Sequence, residues 1–160
     1  MRLLLIAVGR MRSGPEAGLV ARYLERARSA GRAIGVSDVV ARELAESAAR
    51  RADDRKAEEA KAILAQVPAG ASLVAFDEAG ELLSSRGFAA ALAFRRERGE
   101  AITACVLGGS DGLAAGVHEA ASLVVSLGRL TYPHQLARIL VAEQIYRAIM
   151  ILSGHPYHRD

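Results

Sequence analysis

The chain has 160 residues, 51% of them apolar, which is enough for one packed domain. No apolar run reaches the ~18 residues of a membrane span, and the longest candidate, 139–152, is interrupted by Glu143 and Arg147. The net charge of +3 permits a nucleic-acid partner without requiring one; of the 21 cations only Lys56 and Lys61 are lysines, which leaves 19 Arg, the residue whose planar fork grips phosphate.

At the amino terminus Arg2 precedes an apolar run, 3–8, in the manner of a short signal peptide. The run is brief, Arg10 and Arg12 follow at once, and no small-residue cleavage site appears, so a buried first strand is expected. Residues 17–28 predict a helix with Leu19, Tyr23 and Ala27 on one face and Arg22 and Arg26 on the other. A weaker strand is expected at 34–40. A polar-faced helix at 53–66 follows, capped by Asp53 or Asp54, with Ile63 and Leu64 turned inward. The charged stretch 42–61 reads either as a mobile segment or as a solvated helix face. Next come a strand at 72–76, a turn at 77–80, and a helix running from a cap at Ser84 or Ser85 to about residue 98. A strand at 101–107, a short helix at 112–121, a strand at 123–127 and a long helix at 134–153 complete the chain. Strands alternating with helices predict an α/β fold whose largely parallel sheet is covered on both faces, in a single domain spanning 1–160. The lone Cys105 excludes an intrachain disulfide; inside an apolar run it is expected to be an inert core thiol, and a reducing cytoplasm fits.

The last helix is apolar nearly all round, through Leu136, Ile139, Leu140, Val141, Ile145, Ile149, Met150, Ile151 and Leu152. Such a helix is buried on more than one side, and in so small a protein one side is expected to meet another subunit. Glu143 and Arg147 stand i, i+4 in the order that favours a helical salt bridge. In parallel sheets ligands bind beyond the carboxyl ends of the strands. Three segments qualify: 77–80, 108–112 with its Gly108-Gly109 pair, and 128–133, where Pro133 abuts the helix start and Thr131 brings a hydroxyl near its free N–H groups. The spacing is neither a dinucleotide fingerprint nor a phosphate-binding P-loop. Each loop, taken alone, is also what an ordinary turn or capping segment looks like. The tail 155–160 carries two His, a Tyr and an Arg, although short polar termini are disordered by default.

Together these residues resemble the small SPOUT-superfamily methyltransferases, and most closely the ribosomal RNA large subunit methyltransferase H family, which methylates N3 of a pseudouridine. The resemblance spans the whole chain. It is carried by Gly108-Gly109-x-x-Gly112-Leu113, Ser126-Leu127, Leu130-Thr131-x-Pro133-His134-Gln135-Leu136, Glu143-Gln144-x-Tyr146-Arg147-Ala148 and His155-Pro156-Tyr157-His158-Arg159. It implies a SPOUT-type parallel sheet flanked by helices with a C-terminal trefoil knot, a homodimer, and S-adenosylmethionine held by Phe76, Gly108, Gly109, Gly128, Arg129, Leu130, Thr131, Tyr132 and Pro133. The implied substrate is helix 69 of 23S rRNA within the assembled ribosome, with no metal and no membrane. Phe76, Tyr132, Glu81 and Asp160 depart from the usual family residues; Tyr132 alters the shape of the implied pocket, and Glu81 weakens local attraction for RNA.

For N-methylation the residues offer His134 or His158 as acceptors of the N3 proton. Arg147 and Arg159 are candidates to hold phosphate or a developing anionic base, and Tyr157 to stack on or hydrogen-bond the target nucleotide. Two other readings stay open from sequence: a SPOUT enzyme acting on tRNA or on a ribose oxygen, and a non-catalytic ribosome assembly factor.

Overall fold

The computed structural model describes residues 1–159; Asp160 lies outside the described residues. Five strands form one parallel sheet in the order β2-β1-β4-β3-β5, with β1 at Arg2–Val8, β2 at Asp38–Leu44, β3 at Ser72–Leu82, β4 at Ile102–Leu107 and β5 at Leu123–Ser126. The helices are α1 (Pro15–Gly31), α2 (Ala52–Gln66), α3 (Ser85–Glu97), α4 (Ala115–Ala120) and α5 (His134–Leu152).

The alternation of side chains along the strands divides the core into two layers. Leu3, Leu5, Ala7, Val74, Phe76, Cys105 and Leu107 pack with α1, α3 and α5. Leu4, Ile6, Val8, Leu73, Ala75, Ala104 and Val106 pack with Ala60 and Ile63 of α2 and Val117 of α4. The central strands β1 and β4 are covered on both faces, which is why they read as unbroken apolar runs. The expected α/β class and its covered parallel sheet are borne out.

Several local expectations are corrected. The second strand begins at Asp38, because a 3-10 turn at Arg32–Ile34 takes up the start of the predicted segment. Asp53 and Asp54 do not cap α2: its first turn opens from Arg51 without a side-chain cap, and the two acids lie inside that turn, where their charge complements the positive end of the helix dipole. Ile63 is fully buried but Leu64 is exposed. On α1 the buried stripe is Val20, Leu24 and Ala27, with Tyr23 at its margin. Ser84 is the cap of α3, accepting from Gly87 N at 3.0 Å. The expected turn at 77–80 is a loop-out within β3: Phe76 and Glu81 both pair with Val125, so the intervening residues are extruded before the strand resumes.

β1 leads to β2 on one side of the sheet, while β4 leads through α4 past β3 to β5 on the other. The connections therefore diverge between β1 and β4. That divergence is the switch point beside which parallel sheets place their ligand sites, at the carboxyl edge.

A candidate cofactor cleft at the carboxyl edge

A cleft of about 360 Å³ opens at this edge, within the size range of small-molecule sites. Phe76, Leu107, Leu113 and Leu127 give it apolar walls, and the loops after β4 and β5 give it backbone. Of the predicted cofactor residues, Phe76, Gly108, Gly109, Gly128, Leu130, Thr131 and Tyr132 line it; Arg129 and Pro133 do not. Pro133 is instead the residue from which α5 starts, and no side chain, Thr131 included, caps that helix.

The glycine loop is clamped from both ends. Arg55 of α2 grips Asp111 bidentately, at 2.7 Å through Nε and 2.9 Å through Nη2, and also donates to the carbonyls of Ala49 and Arg50. The guanidinium holds the Asp111 carboxyl below its ordinary range. At the other end Asp77 Oδ2 accepts from Leu113 N at 3.3 Å, while its Oδ1 accepts from Ala79 N at 3.0 Å. One carboxylate thus joins the loop-out of β3 to the glycine loop of β4. A Cβ on Gly108 would stand 2.6 Å from the carbonyl oxygen of Gly112. Glycine is therefore required at 108 for the loop to close on itself; the space it frees is already filled by protein.

His134 also lines the cleft, at the switch point. Its Nε2 is 3.7 Å from Glu46 Oε1, and a Cβ on Gly9 would meet both side chains, at 3.3 and 2.9 Å. Arg138, one helical turn on, is buried beneath this contact. It donates to the carbonyls of Val8 at 2.8 Å and Gly9 at 2.6 Å, and to Glu43 Oε1 at 2.6 Å. Burial pushes its pKa down, against the pull of Glu43.

The other predicted catalytic residues lie elsewhere. Arg147 donates to Glu143 Oε1 from Nε at 2.9 Å and from Nη2 at 2.5 Å, as the i, i+4 spacing foretold. Within the described part of the tail, Tyr157 and His158 make contacts with α5. Tyr157 packs on Tyr146 with ring centroids 4.7 Å apart, lies 4.9 Å beneath the Arg147 guanidinium, and donates its hydroxyl to Glu143 at 3.0 Å. Burial first, then Glu143, pushes the Tyr157 phenol up to about 12. His158 Nδ1 lies 3.3 Å from Arg147 Nη1, and Arg159 is exposed. His134 and Arg147 are 13 positions apart on α5, or about 20 Å along its axis. The five candidates therefore form two groups within one chain: His134 at the cleft, and Arg147, Tyr157 and His158 with the exposed Arg159 toward the far end of the helix.

Asp77 and Glu78, which belong to the candidate segment 77–80 but were given no role, also face the cleft, as do Lys56 and His118, which were not singled out in the sequence. The available signal was the position of Asp77 directly after an apolar strand. Among the described residues no cluster of three His, Cys, Asp or Glu is placed to hold a metal ion, and no helix is long and apolar enough to cross a membrane. Cys105 is fully buried, and its thiol is pushed up to about 12 by desolvation, in keeping with an inert core residue.

The family described as "Predicted SPOUT methyltransferase" matches residues 1–158. A Methylocella silvestris protein named ribosomal RNA large subunit methyltransferase H is 56% identical over 160 residues, covering all of both chains. A Xanthobacter autotrophicus protein of the same name is 53% identical over 99% of each. Among solved structures, a probable methyltransferase from Bordetella pertussis Tohama I shares the fold, with a TM-score of 0.50 at 17% identity, over 92% of this chain and 95% of that one. On the full-length match of sequence and architecture, the chain belongs to the SPOUT methyltransferase family.

Proposed function

We propose that the protein transfers a methyl group from S-adenosylmethionine to N3 of a pseudouridine in helix 69 of 23S rRNA, on the assembled ribosome in the cytoplasm, as a single-domain homodimer. The coarser statement, an S-adenosylmethionine-dependent rRNA methyltransferase, follows from the family and from full-length relatives at up to 56% identity. The observation that supports the cofactor part of this reading is the cleft: seven of the nine residues that the family resemblance assigns to the cofactor line a single cavity, with His134 at its rim, while the target itself comes from the resemblance.

The cavity suits such a ligand. Backbone polar groups and an apolar wall can take an adenine, and carboxylates are at hand for a cation. When bound, S-adenosylmethionine supplies a methyl group on an electrophilic sulfonium. To accept that methyl group, N3 of the base would have to give up its proton. The chain's own residues must orient the base in line with that methyl and take its proton. His134 is the first candidate to take the proton, because it lines the cleft, with Glu46 Oε1 3.7 Å from its Nε2. His158 is the second candidate, and it stands with Arg147 and Tyr157 about 20 Å along α5 from the cleft. Within one subunit the tail and the cleft cannot work on one nucleotide. A two-fold dimer that sets the tail of one subunit over the cleft of the other resolves the separation, and the trefoil knot implied by the resemblance belongs to the same proposal. Leu130, 74% exposed, and Leu136, 46% exposed, are apolar groups beside the cleft left for a partner to cover.

The test uses ribosomes from a strain lacking the gene, the purified protein and labelled cofactor, with the modified nucleotide mapped by mass spectrometry. Label at N3 of a helix 69 pseudouridine, on ribosomes and not on free RNA, is expected. Label on tRNA or a ribose oxygen would overturn the assignment of target. Absence of label with intact cofactor binding would favour an assembly factor.

A further inference from the structure

The charges around the cleft are unevenly distributed. Asp77 lines it with a side chain only 10% exposed, and among the described residues no Lys or Arg pairs with it. Its nearest ionisable neighbour is His118, whose Nε2 lies 3.4 Å from Oδ2 and is buried without a hydrogen bond. Glu78, exposed and making no hydrogen bond or ion pair among the described residues, lines the same end. The cations in and around the cleft have other carboxylates beside them. Arg55 is taken up by Asp111, and Lys56 acts on Asp111 as well. His134 is next to Glu46. Asp77 is thus a largely buried carboxylate with no Lys or Arg counter-charge among the described residues, in a cleft open to a ligand. Isolated carboxylates are costly to bury without a compensating charge.

We propose that Asp77, supported by Glu78, makes the cleft select the charge state of its cofactor, holding the sulfonium donor more tightly than the neutral thioether product. This rests on the reading that S-adenosylmethionine occupies the cleft. Methyl transfer forms the N3–C bond, breaks the C–S bond and returns the electron pair to sulfur, while the N3 proton leaves through the base to solvent. The positive charge therefore disappears from the cleft in the chemical step, and the attraction of Asp77 disappears with it. The same carboxylate that recruits the donor lets the product go. The two hydrogen bonds that Asp77 accepts from Ala79 N and Leu113 N fix it at the seam of the two cofactor loops, so the charge is held in place before the ligand arrives.

The test is calorimetric binding of three ligands: S-adenosylmethionine, sinefungin, which places a protonated amine where the sulfonium stands, and S-adenosylhomocysteine. The wild-type protein is expected to bind the two cations about ten-fold more tightly than the thioether, the size expected of one partly screened charge pair. Asp77→Asn is expected to lose about ten-fold for both cations while the thioether changes less than about two-fold. Because Asp77 also holds two loops, Glu78→Gln is measured beside it, and a smaller loss in the same direction is expected there. Equal losses for all three ligands in both variants would show that the carboxylates only shape the loops, and would overturn the inference. Equal wild-type affinity for donor and product would do the same. Failure of all three to bind the wild-type protein would instead overturn the cofactor reading beneath it.

Discussion

Arg138 offers a direct test of what holds the cleft floor together. It is 2% exposed, and its guanidinium is shared among the carbonyls of Val8 and Gly9 and the carboxylate of Glu43. Arg138→Met keeps most of the side-chain volume and removes every donor. Glu43 is 39% exposed and still accepts from Met11 N at 3.2 Å, so water can take over much of what the arginine gave it. The two carbonyls have no such recourse, and leaving a buried polar group unsatisfied costs about 1–3 kcal/mol. Removing the arginine also relieves its own desolvation, which offsets part of the loss. The net expectation is about 3 kcal/mol of destabilisation, or a fall of about 6–12 °C in Tm for a chain of this size. Urea melts give the free energy directly, with a lower midpoint at unchanged slope. Adding Glu43→Gln to Arg138→Met should cost less than about 0.5 kcal/mol more, because Glu43 is already solvated in the single variant. A loss below about 1 kcal/mol for Arg138→Met would refute the assignment of two dependent buried carbonyls.

Three further outcomes are expected. Gly108→Ala places a methyl 2.6 Å from the Gly112 carbonyl oxygen, and the loop must open to admit it. Overpacking of this kind costs about 1–3 kcal/mol, and titration calorimetry should show S-adenosylmethionine affinity reduced about ten-fold or more; wild-type affinity would mean that the loop does not form the site. Glu143→Gln removes the second cause of the raised Tyr157 pKa and leaves the first, burial. The phenolate absorbance of Tyr157 should therefore titrate below about 12 but above its ordinary 10.0, and an unchanged midpoint would assign the shift to burial alone. The third outcome concerns alkaline stability. Folding raises the Cys105 pKa from 9.0 to about 12, so the fold favours the neutral thiol. That contribution is complete below pH 9 and is lost as the pH climbs toward 12; three units correspond to about 4 kcal/mol. Cys105→Ala should flatten the decline of unfolding free energy over that window, and an equally steep decline would place its origin elsewhere.

Strands β1 and β4 were legible because burial on both faces leaves an uninterrupted apolar signature. The edge strand β2 was displaced because it alternates poorly, with Ala41, Arg42 and Glu43 all exposed, so that only Val39 is fully buried in it. The resumption of β3 at Glu81 and Leu82 was invisible for a different reason: its pairing with β5 is made by backbone, and both side chains face outward. The packing of Tyr157 was not legible because it depends on Tyr146 and Glu143 of a helix that ends before it. At the site, the loops could be read from glycines and proline, but the clamps could not. Arg55 and Asp111 stand 56 residues apart and share no spacing motif. Asp77 and His118 meet only because α4, reached through α3 and β4, comes back to pack beside β3.

Glu143 governs how the tail can meet a nucleic acid. Its Oε1 already accepts from Arg147 twice and from Tyr157 once, and its side chain is only 13% exposed. A phosphate that drew Arg147 away would satisfy the guanidinium but strand the carboxylate, because a phosphate brings acceptors only. The gain would then be the difference between two charge-assisted pairs, less the cost of a carboxylate left without a partner. A base edge behaves differently, since a uracil-type ring presents N–H donors beside carbonyl acceptors. It can give Glu143 a donor while taking one from Arg147, so that neither charge is left alone, and Tyr157 offers a ring face next to both. Under the proposed function, the cluster is better matched to the edge of a base than to the backbone that carries it. On the same proposal, the exposed Arg159 rather than Arg147 is therefore the tail residue expected to meet phosphate.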